Sequence, residues 1–393
     1  MAPSLATGRW PVHRSGRRRF HVRCAGSLPP LASEEVHMEH SPLPIIDLAA
    51  LDGAPETRRQ MLATLGRAAR EVGFFYLIGH GLSEQEQQET LALAARFFAL
   101  PQQEKLAVQM VHSPHFRGYN QVGAELTRAR PDLREQFDIM NEEAALDAAS
   151  LQHPWQRLIG PNQWPTALPE MKSHLLAWQE RLSAITLTLL AAFAEVLEQP
   201  AGVFDESIRG APHQHMKLIH YPGQAAGGSG QGVGAHKDPG YLTLVMQDHH
   251  SGLEVETADG WISAPPLPGA LVVNIGELLE LASNGYLKAT LHRVQSPPPG
   301  VSRLSCAFFM AARLDATVPL LSLSPALAAQ AQGPESDPTN PLFYQVGENV
   351  LKGRLRSHPD VATRHYGIAP ASANAQTSSE QTAKRERREP QLA

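Results

Sequence analysis

Apolar and polar positions follow two different periods along this chain, a helical one in the first half and a strand-like one in the second. Apolar residues recur at helical spacing in residues 56–72, 84–98 and 168–197, which predicts three helices. Two short runs rich in β-branched and aromatic residues, 43–48 and 73–78, predict strands between them. The first half is therefore expected to be mainly helical, with one long helix before the second half begins.

From Met216 onward the pattern changes to short runs of apolar residues separated by turn residues. These runs predict strands over residues 217–221, 241–247, 252–256, 271–275, 286–295 and 302–310. Asp259-Gly260 predicts a hairpin turn, and residues 222–235 are glycine-rich and predict a mobile loop. This density of short strands predicts a double-stranded β-helix, a jelly roll of the cupin type, flanked by helices.

The composition divides the chain into five regions. Residues 1–41 are predicted to be either a disordered leader or sequence upstream of a true start at Met38. Several arginines precede the first acidic residue, Glu34, and such a composition is also typical of an organelle transit peptide. Residues 42–200 predict a helix-and-strand region that packs on a jelly-roll core at residues 201–315. Residues 316–368 predict a C-terminal extension, and the polar residues 369–393 predict a disordered tail.

Charge and cysteine content exclude several classes of function. The net charge of −5 over 393 residues argues against nucleic acid as the main partner. No apolar run approaches the roughly 20 residues of a membrane span. Two cysteines, Cys24 and Cys306, cannot form a disulfide framework, which fits a reducing cytoplasm. The expected partner is a small-molecule substrate, and the expected state is a monomer or a weak homo-oligomer.

One histidine–carboxylate triplet stands out from the others by its position. With 18 histidines and 39 acidic residues in the chain, about two His-x-Asp/Glu triplets arise by chance, so the triplet alone carries little information. Three occur: His37-Met38-Glu39 in the polar leader, His358-Pro359-Asp360 in a charged segment, and His236-Lys237-Asp238. The third opens directly onto a predicted strand. Residues two apart on a strand point the same way, so His236 and Asp238 can face one metal ion.

A second histidine, His292, lies in a later predicted strand and completes a set of two imidazoles and one carboxylate. Such a set leaves positions open on non-haem Fe(II) for a co-substrate and O2. His292 has two interpretations, a metal ligand or a core histidine satisfied by the backbone. Four other histidines compete for the role. His213 and His215 precede the predicted sheet in a proline-containing turn, whereas His249 and His250 follow a strand; all four are predicted to be surface or supporting residues.

An arginine near the end of the last predicted strand adds an independent observation. Alternation along this strand places Arg303 and Ser305 on one face and Leu304 on the other, and both faces are mainly apolar. Arg303 is therefore expected to face the interior, where a guanidinium needs an anion. A ligand carboxylate held in bidentate fashion, with Ser305 adding its hydroxyl, would supply one. A structural pair with a distant Asp or Glu is the alternative.

The motifs together resemble one known family. They include LPIIDL from Leu43, EVGFFYLIGHG from Glu71, LVVNIG from Leu271, the HxD…H set of His236, Asp238 and His292, and the RxS pair of Arg303 and Ser305. From Pro42 to Arg313 the chain resembles the isopenicillin N synthase-like family of Fe(II)/2-oxoglutarate-dependent oxygenases. The resemblance implies an iron bound by the HxD…H set.

The resemblance also implies a co-substrate and a reaction. It implies that 2-oxoglutarate chelates the iron and places its far carboxylate on Arg303 and Ser305, with Tyr221 assisting. It implies that O2 binds the last position and that substrate oxidation, by hydroxylation or desaturation, releases succinate and CO2. Two alternatives remain: an oxidase of the same fold that does not use 2-oxoglutarate, and a catalytically silent jelly-roll binding protein.

The chain departs from the family pattern near the substrate. Lys237 stands where relatives usually have a small polar residue, Pro239-Gly240 replaces a common aromatic, and Ile219 occupies a frequent asparagine position. These differences leave the ligand set intact and concern the substrate pocket. Three residues are candidates for contact with an anionic or polar substrate, and a solvated or structural role is the alternative for each: Lys237, Tyr119 and Arg117.

Overall fold

The N-terminal elements alternate helix and strand. A computed structural model describes residues 43–223, 230–335, 337 and 340–368, so the predicted leader and tail lie outside the described residues. The first elements are β1 (Ile45–Asp47), α1 (Pro55–Glu71), β2 (Phe74–Ile78), α2 (Glu84–Phe98) and α3 (Gln102–Ala107). Helix α2 begins where predicted because Ser83 and Glu86 form a reciprocal capping box.

Four short strands and the long helix follow. The strands are β3 (Gly118–Asn120), β4 (Leu126–Thr127), β5 (Arg130–Pro131) and β6 (Glu135–Met140), and the helices are α4 (Glu170–Val196) and α5 (Asp205–Ile208). The apolar stripe of α4 packs into the large core cluster together with residues of α1, α2 and the main sheet. The long helix predicted before the core is confirmed, and it covers the outer face of that sheet.

The second half of the chain is built from strands and one short helix. They are β7 (His213–Tyr221), β8 (Gln231–His236), β9 (Leu242–Gln247), β10 (Leu253–Thr257), β11 (Gly260–Ser263), β12 (Leu271–Ile275), α6 (Glu277–Ala282), β13 (His292–Gln295) and β14 (Arg303–Ala311). The hairpin predicted at Asp259-Gly260 joins β10 to β11. Three C-terminal helices follow, α7 (Pro325–Ala328), α8 (Val346–Ser357) and α9 (Pro359–Tyr366).

Two sheets face each other and form the core. The larger has the order β1-β2-β12-β9-β14-β7-β6-β3, and the smaller has the order β11-β10-β13-β8. Side chains of both meet in one apolar cluster, with Ile219, Tyr221 and Val272 from the large sheet and Val233 and Val255 from the small one. Helices α1, α2 and α4 cover the outer face of the large sheet. The predicted jelly-roll core with flanking helices is confirmed.

Two predicted boundaries in the small sheet were wrong. Residues 231–235, predicted as loop, belong to β8, which forms because it pairs with β13; residues 224–229 of the same segment lie outside the described residues. Residues 286–291, predicted as strand, precede β13. There the backbone N–H of Lys288 donates to Ala69 and the hydroxyl of Thr290 donates to Val72, so this segment is tied to the end of α1 instead of a sheet.

Candidate active site

The pairing of β8 with β13 brings the two predicted histidine ligands together. His236 and His292 are direct partners in this antiparallel pair, and their ring centroids lie 4.3 Å apart. Oδ1 of Asp238 lies 3.4 Å from Nε2 of His236 and 3.6 Å from Nε2 of His292. Although 53 residues lie between Asp238 and His292, the three side chains present ligand atoms within 4.8 Å of one another.

Backbone carbonyls fix the orientation of both imidazoles. Nδ1 of His236 lies 2.8 Å from the carbonyl oxygen of Gly234, and Nδ1 of His292 lies 3.1 Å from that of Thr290. Because Nδ1 donates to a carbonyl, Nε2 carries the lone pair that a metal requires. Burial, together with the neighbouring His236, lowers the pKa of His292 to about 4, so this imidazole is neutral at physiological pH.

The carboxylate lies beyond the strand on which it was predicted. Strand β8 ends at His236, and Asp238 is held by side chains of the large sheet instead. Thr243 of β9 donates a hydrogen bond of 2.6 Å to Oδ2 of Asp238, and the amide of Asn274 on β12 donates another of 2.8 Å. Oδ1 is therefore left to face the two imidazoles.

Electrostatics keep this carboxylate ionised. Burial opposes ionisation of Asp238, but the facing imidazoles of His292 and His236 and the Thr243 hydroxyl outweigh it and hold the pKa well below its usual range. Two imidazoles and one carboxylate on the same side of a point match the donor set of non-haem Fe(II), with coordination positions left open. The residues present therefore fit the predicted metal.

Arg303 lies where the alternation along β14 predicts, inside the barrel and 1% exposed. Its guanidinium donates to Oε1 of Gln247 at 2.8 Å and to the carbonyl oxygen of His250 at 3.2 Å. Nη1 is buried and has no hydrogen-bond partner, and no carboxylate of the described residues forms an ion pair with Arg303. The alternative of a structural acidic partner is therefore not realised within the described chain. A buried guanidinium in this state fits an anionic ligand.

The two companions of Arg303 lie beside it. Tyr221 is its direct partner across the β7–β14 pair, and the guanidinium carbon lies 4.8 Å from the centroid of the Tyr221 ring. Ser305 lies two residues further along the same inward face and is 2% exposed. The structure thus brings together the three residues predicted to hold the co-substrate carboxylate.

The three predicted substrate residues are placed differently. Lys237 lies between two of the predicted metal ligands, and its ammonium is 3.4 Å from Glu280 and 2.6 Å from Glu335. Tyr119 pairs with Phe137, which places it on the outer face of the large sheet, opposite to Ser305. Its hydroxyl donates to Glu135 at 2.6 Å.

Arg117, the third predicted substrate residue, is buried among backbone carbonyls. Its guanidinium donates to His115 at 2.6 Å and to Leu158 at 2.9 Å. Burial, with the nearby charge of Arg354, lowers its pKa to about 9. The hydrogen bonds of Arg117 and Tyr119 are therefore directed to the protein itself, and neither residue is brought next to the predicted ligands.

Sequence reasoning missed a buried network of charges inside the barrel. His213 and His215 are not in a turn: they are inward positions of β7, each less than a tenth exposed. His215, Lys217 and Arg354 all contact Oδ2 of Asp138, at 2.9, 3.3 and 3.2 Å. The signal was present, because His213, His215, Lys217, Ile219 and Tyr221 alternate with a period of two.

The four histidines that competed with the predicted ligands thus divide into two pairs. His213 and His215 are buried, whereas His249 is exposed and His250 is half-buried, as predicted for residues after a strand. Asp248, His249 and His250 form a second group of potential ligand atoms within 4.8 Å. Both carboxylate oxygens of Asp248 already accept backbone N–H groups, Oδ1 from His250 at 2.8 Å and Oδ2 from Leu304 at 2.6 Å, whereas Oδ1 of Asp238 faces the two imidazoles.

Comparison with known families identifies the chain. Residues 43–167 match the model of the non-haem dioxygenase in morphine synthesis N-terminal domain, and residues 212–312 match that of the 2OG-Fe(II) oxygenase superfamily. The 2-oxoglutarate-dependent dioxygenase frbJ of Dothideomycetidae sp. is 32% identical over 83% of this chain and 92% of its own length. The chain belongs to the 2OG-Fe(II) oxygenase superfamily.

Other oxygenases of the superfamily show similar agreement. The homoarginine-6-hydroxylase 2-ODD-C23.1 of Arabidopsis thaliana is 35% identical over 72% of this chain and 88% of its own length. The crystal structure of full-length Neurospora crassa T7H with alpha-KG covers 79% of this chain and 95% of its own, with 26% identity and a TM-score of 0.65. The chain is a non-haem Fe(II)/2-oxoglutarate-dependent dioxygenase that oxidises a small organic substrate.

Proposed function

We propose that His236, Asp238 and His292 hold the Fe(II) of this oxygenase and that Arg303, Ser305 and Tyr221 hold 2-oxoglutarate. One observation carries the proposal: a buried guanidinium without a carboxylate partner lies inside the same barrel as three converging iron ligands. The iron ligands alone would also fit other metal chemistry. The addition of Arg303 favours a metal together with a small dicarboxylate.

Different protein residues bind the far carboxylate of the co-substrate and orient the ligands of the metal that would bind its other end. Arg303 binds the far carboxylate of 2-oxoglutarate through Nη1, and Ser305 adds a hydroxyl beside it. Tyr221 covers the guanidinium with its ring and excludes water from the pair, which strengthens it. Thr243 and Asn274 hold Asp238 so that its free oxygen stays directed at the metal.

The cofactors supply the oxidising chemistry. When Fe(II), 2-oxoglutarate and O2 are bound, one oxygen atom of O2 goes into the succinate formed as 2-oxoglutarate loses CO2, and the other goes to the substrate. The two imidazoles and the carboxylate leave open positions for this. We propose hydroxylation of a small polar substrate, since curated relatives with 32–35% identity are named as hydroxylases.

Lys237 is the one predicted substrate residue that remains in this proposal. It stands between two iron ligands, and its ammonium is held by Glu280 and Glu335. Glu335 is exposed, with 71% of its side chain accessible, so the pair can open toward solvent. Lys237 can then turn to a polar group of an entering substrate.

The cellular setting is also a proposal. Among the described residues, no helix combines the length and apolar character needed to span a bilayer. The net charge of −5 favours a small molecule over nucleic acid as partner. Cys306 is a buried free thiol, which is compatible with a reducing compartment. We propose a cytoplasmic enzyme that works as a monomer or weak homo-oligomer.

An anaerobic titration tests the iron and co-substrate sites directly. Addition of Fe(II) and then 2-oxoglutarate to the full chain should produce a weak visible charge-transfer band, and admission of O2 should convert 2-oxoglutarate to succinate. His236→Ala should abolish the band, whereas His249→Ala, at an exposed histidine outside the set, should leave it intact.

Two results would contradict the proposal in different ways. Bound iron without a band on addition of 2-oxoglutarate would favour an oxidase of the same fold that does not use this co-substrate. Loss of iron binding in His249→Ala but not in His236→Ala would place the metal at the group formed by Asp248, His249 and His250 instead.

A further inference from the structure

Two neighbouring inward positions of β6 carry polar atoms that have no hydrogen-bond partner in the described chain. Gln136 and Asp138 are two residues apart and point the same way; they pair with Ile219 and Lys217 of β7. Both amide atoms of Gln136 and Oδ1 of Asp138 are buried and unpartnered. The two residues are 1% and 0% exposed. Buried polar groups are nearly always satisfied, so these three atoms point to a ligand.

The position of this pair relates it to the active site. Gln136 pairs with Ile219, and Ile219 pairs with Ser305, so Gln136 lies two strands, or about 10 Å, from Ser305. The iron ligands lie on the opposite side of Ser305, where Asp238 contacts β9 and β12. A substrate between the iron and β6 would therefore meet Gln136 and Asp138.

The charges around Asp138 limit the charge of that substrate. The network contains three carboxylates and three cationic side chains, all buried: Glu125, Asp132, Asp138, Arg134, Lys217 and Arg354. These ion-paired side chains are therefore balanced before any substrate binds, and the further buried cation near Arg354, Arg117, is held by the backbone carbonyls of His115 and Leu158. A charged substrate would add an uncompensated charge to a buried, balanced network, which is strongly unfavourable.

The hydrogen-bonding groups then define the chemistry of the substrate. The carboxamide of Gln136 offers one donor and one acceptor side by side, which complement an adjacent C=O and N–H. Oδ1 of Asp138 is an acceptor and takes a further N–H or O–H. We propose that Gln136 and Asp138 bind the substrate, and that the substrate is a small uncharged molecule with an amide-type N–H/C=O edge. This inference rests on the proposed function, because it assumes an iron and co-substrate at the neighbouring residues.

Binding of matched probes to the enzyme loaded with Fe(II) and 2-oxoglutarate tests the inference. The probes are uracil and 2-piperidone, each beside its N-methylated counterpart, 1,3-dimethyluracil or N-methyl-2-piperidone. Anaerobic calorimetry gives the dissociation constants, and the charge-transfer band reports that iron and co-substrate are in place. The N–H probes should bind at least about tenfold more tightly than the N-methylated ones, as expected for the loss of one buried hydrogen bond.

Variants connect that preference to the two residues. Gln136→Leu should raise the dissociation constant of the N–H probes about tenfold and remove most of the difference from the methylated probes. Gln136→Glu keeps the size of the side chain and replaces its N–H donor by an oxygen. It is the substitute variant if Gln136→Leu does not fold. Asp138→Asn should weaken the same probes. Gln85→Leu, at an exposed position of α2, should bind all probes as the wild type does, and the band should be unchanged in every variant.

The outcomes separate this inference from the proposed function. Equal binding of methylated and unmethylated probes, no binding of either amide probe, or tighter binding of hexanoate or hexylamine would each overturn the inference while the band persists. Absence of the band in the wild type would instead overturn the proposed function.

Discussion

The hydroxyl of Thr243 on β9 donates a hydrogen bond of 2.6 Å to Oδ2 of Asp238, which lies beyond the end of β8 in the opposite sheet. This contact joins the two sheets at the candidate iron site. It leaves Oδ1 of Asp238 facing His236 and His292. The carboxylate ligand is therefore oriented by the large sheet, whereas both imidazoles come from the small one.

Replacement of Thr243 by valine should weaken iron binding. The substitution keeps the shape of the side chain and removes the donor, so Asp238 gains rotational freedom. Loss of such a supporting hydrogen bond typically costs 10–100-fold in metal affinity. Competition with a chelator measures the Fe(II) dissociation constant. Thr257→Val, at a half-buried position of β10 away from the candidate iron ligands, should bind iron as the wild type does; equal affinities in all three proteins would contradict this role for Thr243.

Replacement of Arg303 by lysine should weaken 2-oxoglutarate binding without loss of iron. Lysine keeps the charge but cannot reproduce the planar pair of donors that a carboxylate accepts. Loss of one hydrogen bond to a charged group costs roughly 1.5–3 kcal/mol, or about 10–150-fold in affinity. The charge-transfer band, followed against co-substrate concentration, measures this change. Arg293→Lys, at the Arg293–Glu254 pair on the small sheet, is the control, and a matching loss there would refute the assignment.

Glu135 should contribute stability that disappears in acid. Burial opposes its ionisation, but hydrogen bonds with His220, Lys105 and Tyr119 outweigh it and lower its pKa to about 2. A lowered pKa means that the unfolded state binds the proton first, so the contribution is complete above about pH 4.5 and is lost as the pH falls toward 2.

The variant Glu135→Gln isolates this contribution. It should reduce the free energy of unfolding by about 2 kcal/mol at pH 7, after allowance for solvent screening. The difference between variant and wild type should shrink steadily below pH 4.5. Urea denaturation at several pH values measures it, and a difference that stays constant down to pH 3 would show that ionisation of Glu135 is not its source.

Arg354 should contribute strongly to the free energy of unfolding, because it links the C-terminal helix α8 to the interior of the barrel. It extends from α8 and contacts Asp138 at 3.2 Å and His215 at 2.7 Å. Arg354→Met leaves a buried carboxylate short of a partner, which costs about 3 kcal/mol or more. The urea midpoint should fall well below that of Arg356→Met, which changes an exposed arginine of the same helix. Similar midpoints would mean that the buried pair contributes little.

Local signals were sufficient for several elements of the fold. Helix α2 runs from Glu84 to Phe98 as predicted, because its capping box and its apolar period lie within the same stretch of sequence. Strand β12 was also predicted, since Leu271–Ile275 is apolar apart from Asn274 and is buried on both faces. In such segments the residues that decide the conformation are close together along the chain.

Strand β8 shows why other elements escaped prediction. Its glycines gave no strand signal, yet they are used for close packing: a Cβ atom at Gly232 would lie 2.9 Å from the Tyr221 ring, and one at Gly234 would lie 3.0 Å from Thr127. The partners of these glycines are distant in sequence, so the strand exists because of tertiary pairing with β13.

The sequence by itself determined the chemistry of this protein. The identities and spacing of His236, Asp238, His292 and Arg303 were enough to predict an iron site with an anionic co-substrate, because donor types and strand alternation are local properties. The tertiary structure decided which residues hold those groups in place and which face the substrate. Thr243, Asn274, Gln136 and Asp138 gain their roles from strand register, and register depends on contacts across the whole barrel.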